Sequence, residues 1–401
     1  MEAQSTIQVR GAPHGVLRRF AVLGLAIVVA CGLGEMLVRV FVPEPEVLQP
    51  FGLRAFHNDK WVELPPEGQS LFTQRSNDPY LQGLRGELIP GTRFRLCYDA
   101  QGPWRRPYFD ADGCVEAVIN SAGFRGPEFE YTKPEGTYRI AVLGDSFTFG
   151  HGVPFEATWG EFLEAKLQVH LDSNEQANSP KRAEVLNFGV NGYDILDVEL
   201  VLQHKALAWS VDRVIYGFFP NDLFVAKETD AAPGDQTDFD FQNVQEVELH
   251  DQLFGSPSGL SRYSRLFFLL ERALAARRID ALTTSTYLRA GTPGSRHFEA
   301  WKAGLVSMAR VCEARNVPLD VVIFPEMASL DDGHAYAPIY VAVEEAAREL
   351  GLGAVQVFDA WEGHEASSLW VHPTDHHPNE IAHSLAGEAV SRALIEAGWP
   401  R

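Results

Sequence analysis

Tyr138-Arg139-Ile140-Ala141-Val142-Leu143-Gly144-Asp145-Ser146-Phe147-Thr148-Phe149-Gly150-His151-Gly152 is the stretch on which the fold turns. Residues 140–143 form an unbroken apolar run with β-branched side chains at two positions. Such a run reads as a strand buried on both faces, as in a parallel sheet. Gly144-Asp145-Ser146 ends it with turn chemistry: glycine permits a tight turn, and Asp145 can hydrogen-bond nearby backbone. A helical pattern follows over 158–171, so Ser146 sits where a strand hands over to a helix. In open α/β sheets, ligands bind beyond the carboxyl ends of strands. Ser146 is therefore a candidate for chemistry.

Three further segments repeat this pattern. Residues 184–188 are largely apolar and end in Gly189-Val190-Asn191-Gly192. Residues 213–219 end in Pro220-Asn221-Asp222, and Asp375-His376-His377-Pro378-Asn379 lies near the end of the chain. The set resembles the SGNH (GDSL-type) hydrolase family. Gly-Asp-Ser at 144–146 matches its first block, 187–192 its second, Asn221-Asp222 its third and Asp375-x-His377-Pro-Asn its last. The resemblance covers residues 133–400.

It implies a three-layer α/β/α, flavodoxin-like parallel sheet and a serine esterase. Acyl transfer needs a nucleophile, a base and donors for the developing oxyanion. By this resemblance Ser146 is the nucleophile, His377 the base and Asp375 the acid that orients it. The oxyanion hole is formed by the Ser146 and Gly192 backbone N–H groups and the Asn221 side chain. Gly192 suits that role because a side chain there could block close approach. Ester or O-acetyl groups on glycans, lipids or small molecules are the implied substrates. An O-acetyltransferase and a non-catalytic glycan-binding or assembly module on the same scaffold are the alternatives. The sequence departs from the family at two points. Asp375 precedes His377 by two residues where Asp-x-x-His is usual, and Phe219 stands where the third block often has glycine, which narrows the expected cleft.

Rival chemistries have less support. His376 and His372 are alternative bases, but adjacent residues of an extended segment face opposite ways, and both are read as surface turn residues. His383 is read as packing or capping on the last helix. His372, Asp375, His376 and His377 are dense enough to ligate zinc. Asp375-His376-His377 also resembles the DHH phosphoesterase signature, but without its upstream aspartates or downstream domain. HExxH and P-loop motifs are absent, and Thr148 replaces the last glycine of a Gly-x-Ser-x-Gly elbow. No cofactor and no metal are expected.

The formal net charge is −20, which argues against nucleic-acid binding. A hydrophobic content of 45% is enough for a sizeable core. Arg10, Arg18 and Arg19 precede an apolar run at 20–34 that continues, with Glu35 and Arg39 inside it, to Val42. A segment of this length can span a bilayer, and the arginines favour a cytoplasmic N-terminus. Glu35 and Arg39 are one helical turn apart and suited to pairing. An uncleaved anchor is expected; a cleaved signal peptide and lipidation at Cys31 are the alternatives. Each places the catalytic region outside the cytoplasm, in the periplasm. The expected domains are a cytoplasmic 1–19, a transmembrane 20–42, a linker and small β-rich or irregular segment at 43–132, and a hydrolase domain at 133–401. The spacing of Cys97 and Cys114 allows either a bridge or two free thiols, and Cys312 is read as core. Arg125 is read as an exposed structural arginine in preference to a substrate-anion ligand.

Strands are expected at 139–143, 184–188, 213–219, 319–324 and 354–358. Helices are expected at 158–171, 194–208, 297–315, 335–350 and 379–397, with Asp194 as an N-cap and Gly351 as a C-cap. Residues 51–129 read as a lid or packing element. Residues 231–251 read as an acidic exposed loop in preference to a calcium site at Asp235, Asp238 and Asp240. Residues 260–278 read as a helix forming core or a cleft wall.

Overall fold

The computed structural model describes residues 14–42, 52–57, 60–64, 73–99, 102–174, 180–225, 257, 259–328, 330 and 335–400. The expected linker at 43–50 and the acidic loop at 231–251, with Asp235, Asp238 and Asp240, lie outside the described residues. The chain divides into two compact units, Met1–Leu48 with Asp240–Ile279, and Gln49–Phe239 with Asp280–Arg401.

In the first unit, helix α1 (His14–Phe41) contains the 24 residues Arg18–Phe41, long and apolar enough to cross a membrane. Glu35 accepts hydrogen bonds from the Arg265 and Leu266 backbone N–H groups, each at 2.9 Å, and from Ser264 Oγ at 2.8 Å. It thereby caps the first turn of α5 (Arg265–Ala290) with a negative charge where the helix dipole favours one. Arg39 donates back to Glu35 at 2.6 Å. The helix expected at 260–278 thus begins five residues later and runs to Ala290. Ser264 and Glu35 supply partners for its first N–H groups, and nothing breaks it before Gly291.

The second unit opens with a four-stranded antiparallel sheet, in the order β2 (Lys60–Leu64), β1 (Gly52–His57), β5 (Arg93–Cys97), β6 (Cys114–Val118). The short pair β3 (Thr73–Gln74) and β4 (Glu87–Leu88) stands apart from it. Cys97 and Cys114 face each other across β5 and β6 and are joined by a disulfide. The region read only as β-rich or irregular is therefore a sheet stapled within itself.

The central sheet has five parallel strands: β7 (Thr137–Gly144), β8 (Arg182–Asn187), β9 (Arg213–Phe218), β10 (Leu319–Ile323) and β11 (Gly353–Gln356). Their spatial order is β11-β10-β9-β7-β8. That is the 2-1-3-4-5 order of flavodoxin-like sheets, whose switch point lies between β7 and β9. Every residue of β7 is buried, because helices cover both faces. Ile140 and Val142 face the layer of α3 (Trp159–Ser173) and α10 (Glu380–Glu396). Ala141 and Leu143 face α4 (Ile195–His204), α6 (Arg296–Glu313) and α7 (Ala337–Glu349). The strand period of two sends alternate side chains into the two layers. Full burial of Ile140, Val142 or Leu143 contributes about 1.5–3 kcal/mol each. The small sheet joins the second of these cores through Leu53, Phe94, Leu96, Val115 and Ala117.

Caps follow the sequence. Asp194 caps α4 in a capping box with Asp197, and Gly351 follows α7 at φ 73°. Cys312 is buried on α6. A two-stranded hairpin, β12 (Trp370–His372) and β13 (Asp375–Pro378), leads into α10, whose first N–H groups are capped by Asn379.

Candidate active site

The carboxyl ends of β7 and β9 define the switch point, and the site is built there. Asp145 follows β7 and accepts from the Phe147 N–H at 2.9 Å, capping the single-turn helix α2 (Ser146–Phe149). Ser146 is the first residue of that turn and is buried at 8% exposure. Its Oγ donates to His377 Nε2 at 2.8 Å. His377 Nδ1 donates to Asp375 Oδ1 at 2.5 Å, and the His377 backbone N–H donates to the same oxygen at 3.2 Å. Asp375 and His377 are two apart on β13, so their side chains share a face. The shortened Asp-x-His spacing is accommodated by this extended strand.

The second oxygen of Asp375 is also occupied. Tyr98 Oη donates to Oδ2 at 2.6 Å, and His151 Nε2 lies 3.3 Å from it. Asn191 Nδ2 lies 2.8 Å from His151 Nδ1. An amide nitrogen only donates, so His151 Nδ1 accepts and the neutral ring carries its proton on Nε2, facing Asp375. Burial opposes charge on Asp375, but the His377 and His151 rings outweigh it and hold the carboxyl well below its usual range. Burial pushes His377 down, while the Asp375 charge and hydrogen bond push it further up, for a net rise. Burial, then His377, lowers His151.

Asn221, after β9, donates from Nδ2 to Asp145 Oδ2 at 3.0 Å. One N–H of the amide makes that bond, and the second is available for another acceptor. Gly192 is exposed at φ 79°, and a Cβ there would meet open space. Its left-handed backbone conformation favours glycine. Gly189 packs directly against the α2 backbone, where a Cβ would lie 2.4 Å from the Phe149 nitrogen. Asn187 binds the same turn, donating from Nδ2 to the Thr148 carbonyl at 2.7 Å. Phe219, in place of the expected glycine, stacks on Phe147 with centroids 4.1 Å apart. Asp222 is fully buried and accepts from Tyr216 Oη at 2.6 Å.

The other histidines separate cleanly. His376 lies on the opposite side of β13 and stacks on Trp370, with centroids 4.0 Å apart. His372 is not on the surface: it is buried, beside Thr374 Oγ1 at 2.8 Å and the Asp99 carbonyl at 3.1 Å. Its backbone belongs to β12, which turns the ring inward. His383 Nδ1 accepts from the Trp159 N–H at 3.2 Å and so caps α3. Arg125 is likewise buried, at 1% exposure. It donates to the carbonyls of Phe149, Gly150 and Val153, the backbone that leaves α2. Three carbonyls replace its hydration; burial lowers its pKa to about 9.

Of the four residues dense enough for zinc, only Asp375 and His377 come together, and His151 joins them with ligand atoms within 4.8 Å of one another. Both His377 nitrogens are already engaged, by Ser146 and Asp375. Tyr98 and His151 were not singled out by the sequence. His151 had a signal in its place five residues after Ser146; Tyr98, 277 residues from Asp375, had none.

The sequence matches no protein-family model and no curated protein. Similar solved structures include a lipolytic protein of the G-D-S-L family from Desulfitobacterium hafniense DCB-2, at 15% identity over 64% of this chain and 99% of that one, TM-score 0.36. A catalytic mutant of an acetylxylan esterase from Geobacillus stearothermophilus is similar at 14% identity over 64% and 94%, TM-score 0.36. A lipase from a goat rumen metagenome is similar at 13% identity over 66% and 99%, TM-score 0.36.

Proposed function

We propose that the chain is a membrane-anchored serine esterase of the SGNH (GDSL-type) kind, acting on ester or O-acetyl groups of glycans, lipids or small molecules. The observation that carries this reading is the unbroken hydrogen-bonded series Ser146–His377–Asp375 at the switch point of the sheet. In the proposed reaction the Ser146 Oγ attacks the acyl carbon as its proton passes to His377 Nε2. The tetrahedral oxyanion is met by the Ser146 and Gly192 N–H groups and the second N–H of Asn221. Collapse expels the alcohol, which takes the proton from His377. Water then attacks the acyl-enzyme and gives a proton to His377; collapse releases the acid, and the departing Ser146 Oγ takes that proton back. Asp375 keeps the ring in the tautomer with Nδ1 protonated and stabilises its cation.

Residues 133–401 are the proposed catalytic domain and 20–42 the anchor, with the catalytic part in the periplasm. The arginines before the span and the Cys97–Cys114 disulfide support that sidedness. The test of the reaction is labelling by a fluorophosphonate, alongside hydrolysis of short acyl esters and acetylated sugars. Ser146→Ala is expected to abolish both while leaving the fold intact. Labelling of Ser146→Ala at the wild-type rate would show that another residue reacts.

A further inference from the structure

We propose that Tyr98 and His151 are positioning residues for the triad, together holding Asp375 Oδ2 so that Oδ1 is aimed at His377. The proposal rests on the esterase reading above and gives the small antiparallel sheet a part in catalysis.

Asp375 is two residues from His377 on one short strand, and Oδ1 serves the backbone and ring of that single histidine. Nothing on β13 reaches Oδ2. Among the described residues, two groups from elsewhere reach it: Tyr98, which follows the last residue of β5, and His151, which follows α2. A carboxylate oxygen left without donors in a buried site is costly, and its carboxyl plane can rotate. Two donors on Oδ2 fix that plane.

Both donors are themselves held. The Tyr98 ring stacks on Phe109 at 5.2 Å and lies 5.5 Å from the His372 ring. Gly152 leaves the space its hydroxyl uses, since a Cβ there would lie 2.8 Å from Tyr98 Oη. Burial, then the Asp375 charge, raises the phenol far above its ordinary value, so it remains a donor. His151 is fixed by Asn191 on the loop after β8.

The groups facing this pair of rings and the carboxylate set the direction of the test. They are Asp145 on the β7–α2 turn, His372 on β12, Tyr108 beside the small sheet with Glu380 near it, and Arg125 beyond His151. None of them replaces a lost donor on Oδ2. Removing Tyr98 Oη or the His151 N–H leaves the Asp375 charge less shared. The His377 cation is then held more strongly, and its pKa rises.

The full-length protein in detergent is assayed on a short acyl ester across pH. Tyr98→Phe and His151→Leu are each expected to lower kcat about ten- to hundredfold with KM little changed. The acid limb of kcat/KM is expected to move to higher pH. His151→Gln, whose amide nitrogen can stand where Nε2 stood, is expected to restore most of kcat. A merely structural role would lower Tm and the fraction labelled by fluorophosphonate without moving the acid limb. If wild-type protein is not labelled at Ser146, the esterase reading fails. If it is labelled, and both variants keep the wild-type kcat and acid limb, the positioning role alone is overturned.

Discussion

Side chains alternate along β13, so Asp375 and His377 turn toward Ser146 while His376 turns onto Trp370. The proposed base is therefore separated from its neighbour by geometry and not by chemistry. His377→Ala is expected to lower kcat by several orders of magnitude, and His376→Ala by less than about tenfold. A reversal of these two results in steady-state assays would move the base to His376. The pH dependence follows from the same pair. The base works only when neutral, and Asp375 raises the pKa of His377 above its ordinary value despite burial. Activity is expected to rise with pH along an acid limb lying above that of an ordinary imidazole, as a pH profile of kcat/KM would show. Ser146, Asp375 and His377, which the structure brings together, were legible as candidates because each lies in a recognisable block. His372 and Arg125 were misread because their burial depends on segments distant in sequence, the Asp99 carbonyl for one and the α2 exit for the other.

The element that carries the proposed nucleophile is the single turn α2, and the glycine loop after β8 fixes its position. Gly189 touches the backbone of Thr148 and Phe149 with no room for a Cβ, whereas Gly192 has room but a positive φ. The two glycines should respond differently to alanine. Gly189→Ala is expected to cost about 3 kcal/mol, as overpacking against backbone does, and Gly192→Ala about 1 kcal/mol, the cost of a left-handed conformation. Denaturant unfolding of both variants measures the difference, and equal losses would mean that the α2 backbone yields. The five central strands were legible because each is a short apolar run closed by turn residues. The start of α5 was not, because its cap is Glu35, a residue of another helix 230 positions earlier.

At the scale of the molecule, the parallel sheet was readable from alternating runs, whereas the four-stranded sheet was not. Its β1–β5 pairing joins segments some forty residues apart, and no short turn between the two strands marks them as partners. Its disulfide was one of two readings that the spacing allowed. The proposed topology is tested by a reporter fused after residue 401, expected to be active only outside the cytoplasm. Activity confined to the cytoplasm would overturn the sidedness. The order of the site along the chain carries a further consequence, for biosynthesis. Ser146 precedes its proposed base, His377, by 231 residues, and Tyr98 precedes Asp375 by 277. A chain emerging N-terminus first presents Ser146 long before the residue proposed to activate it. On the proposed reading the site is completed only when the hairpin of β12 and β13 closes beside α2, and a nascent chain that has not yet made that hairpin lacks the proposed base.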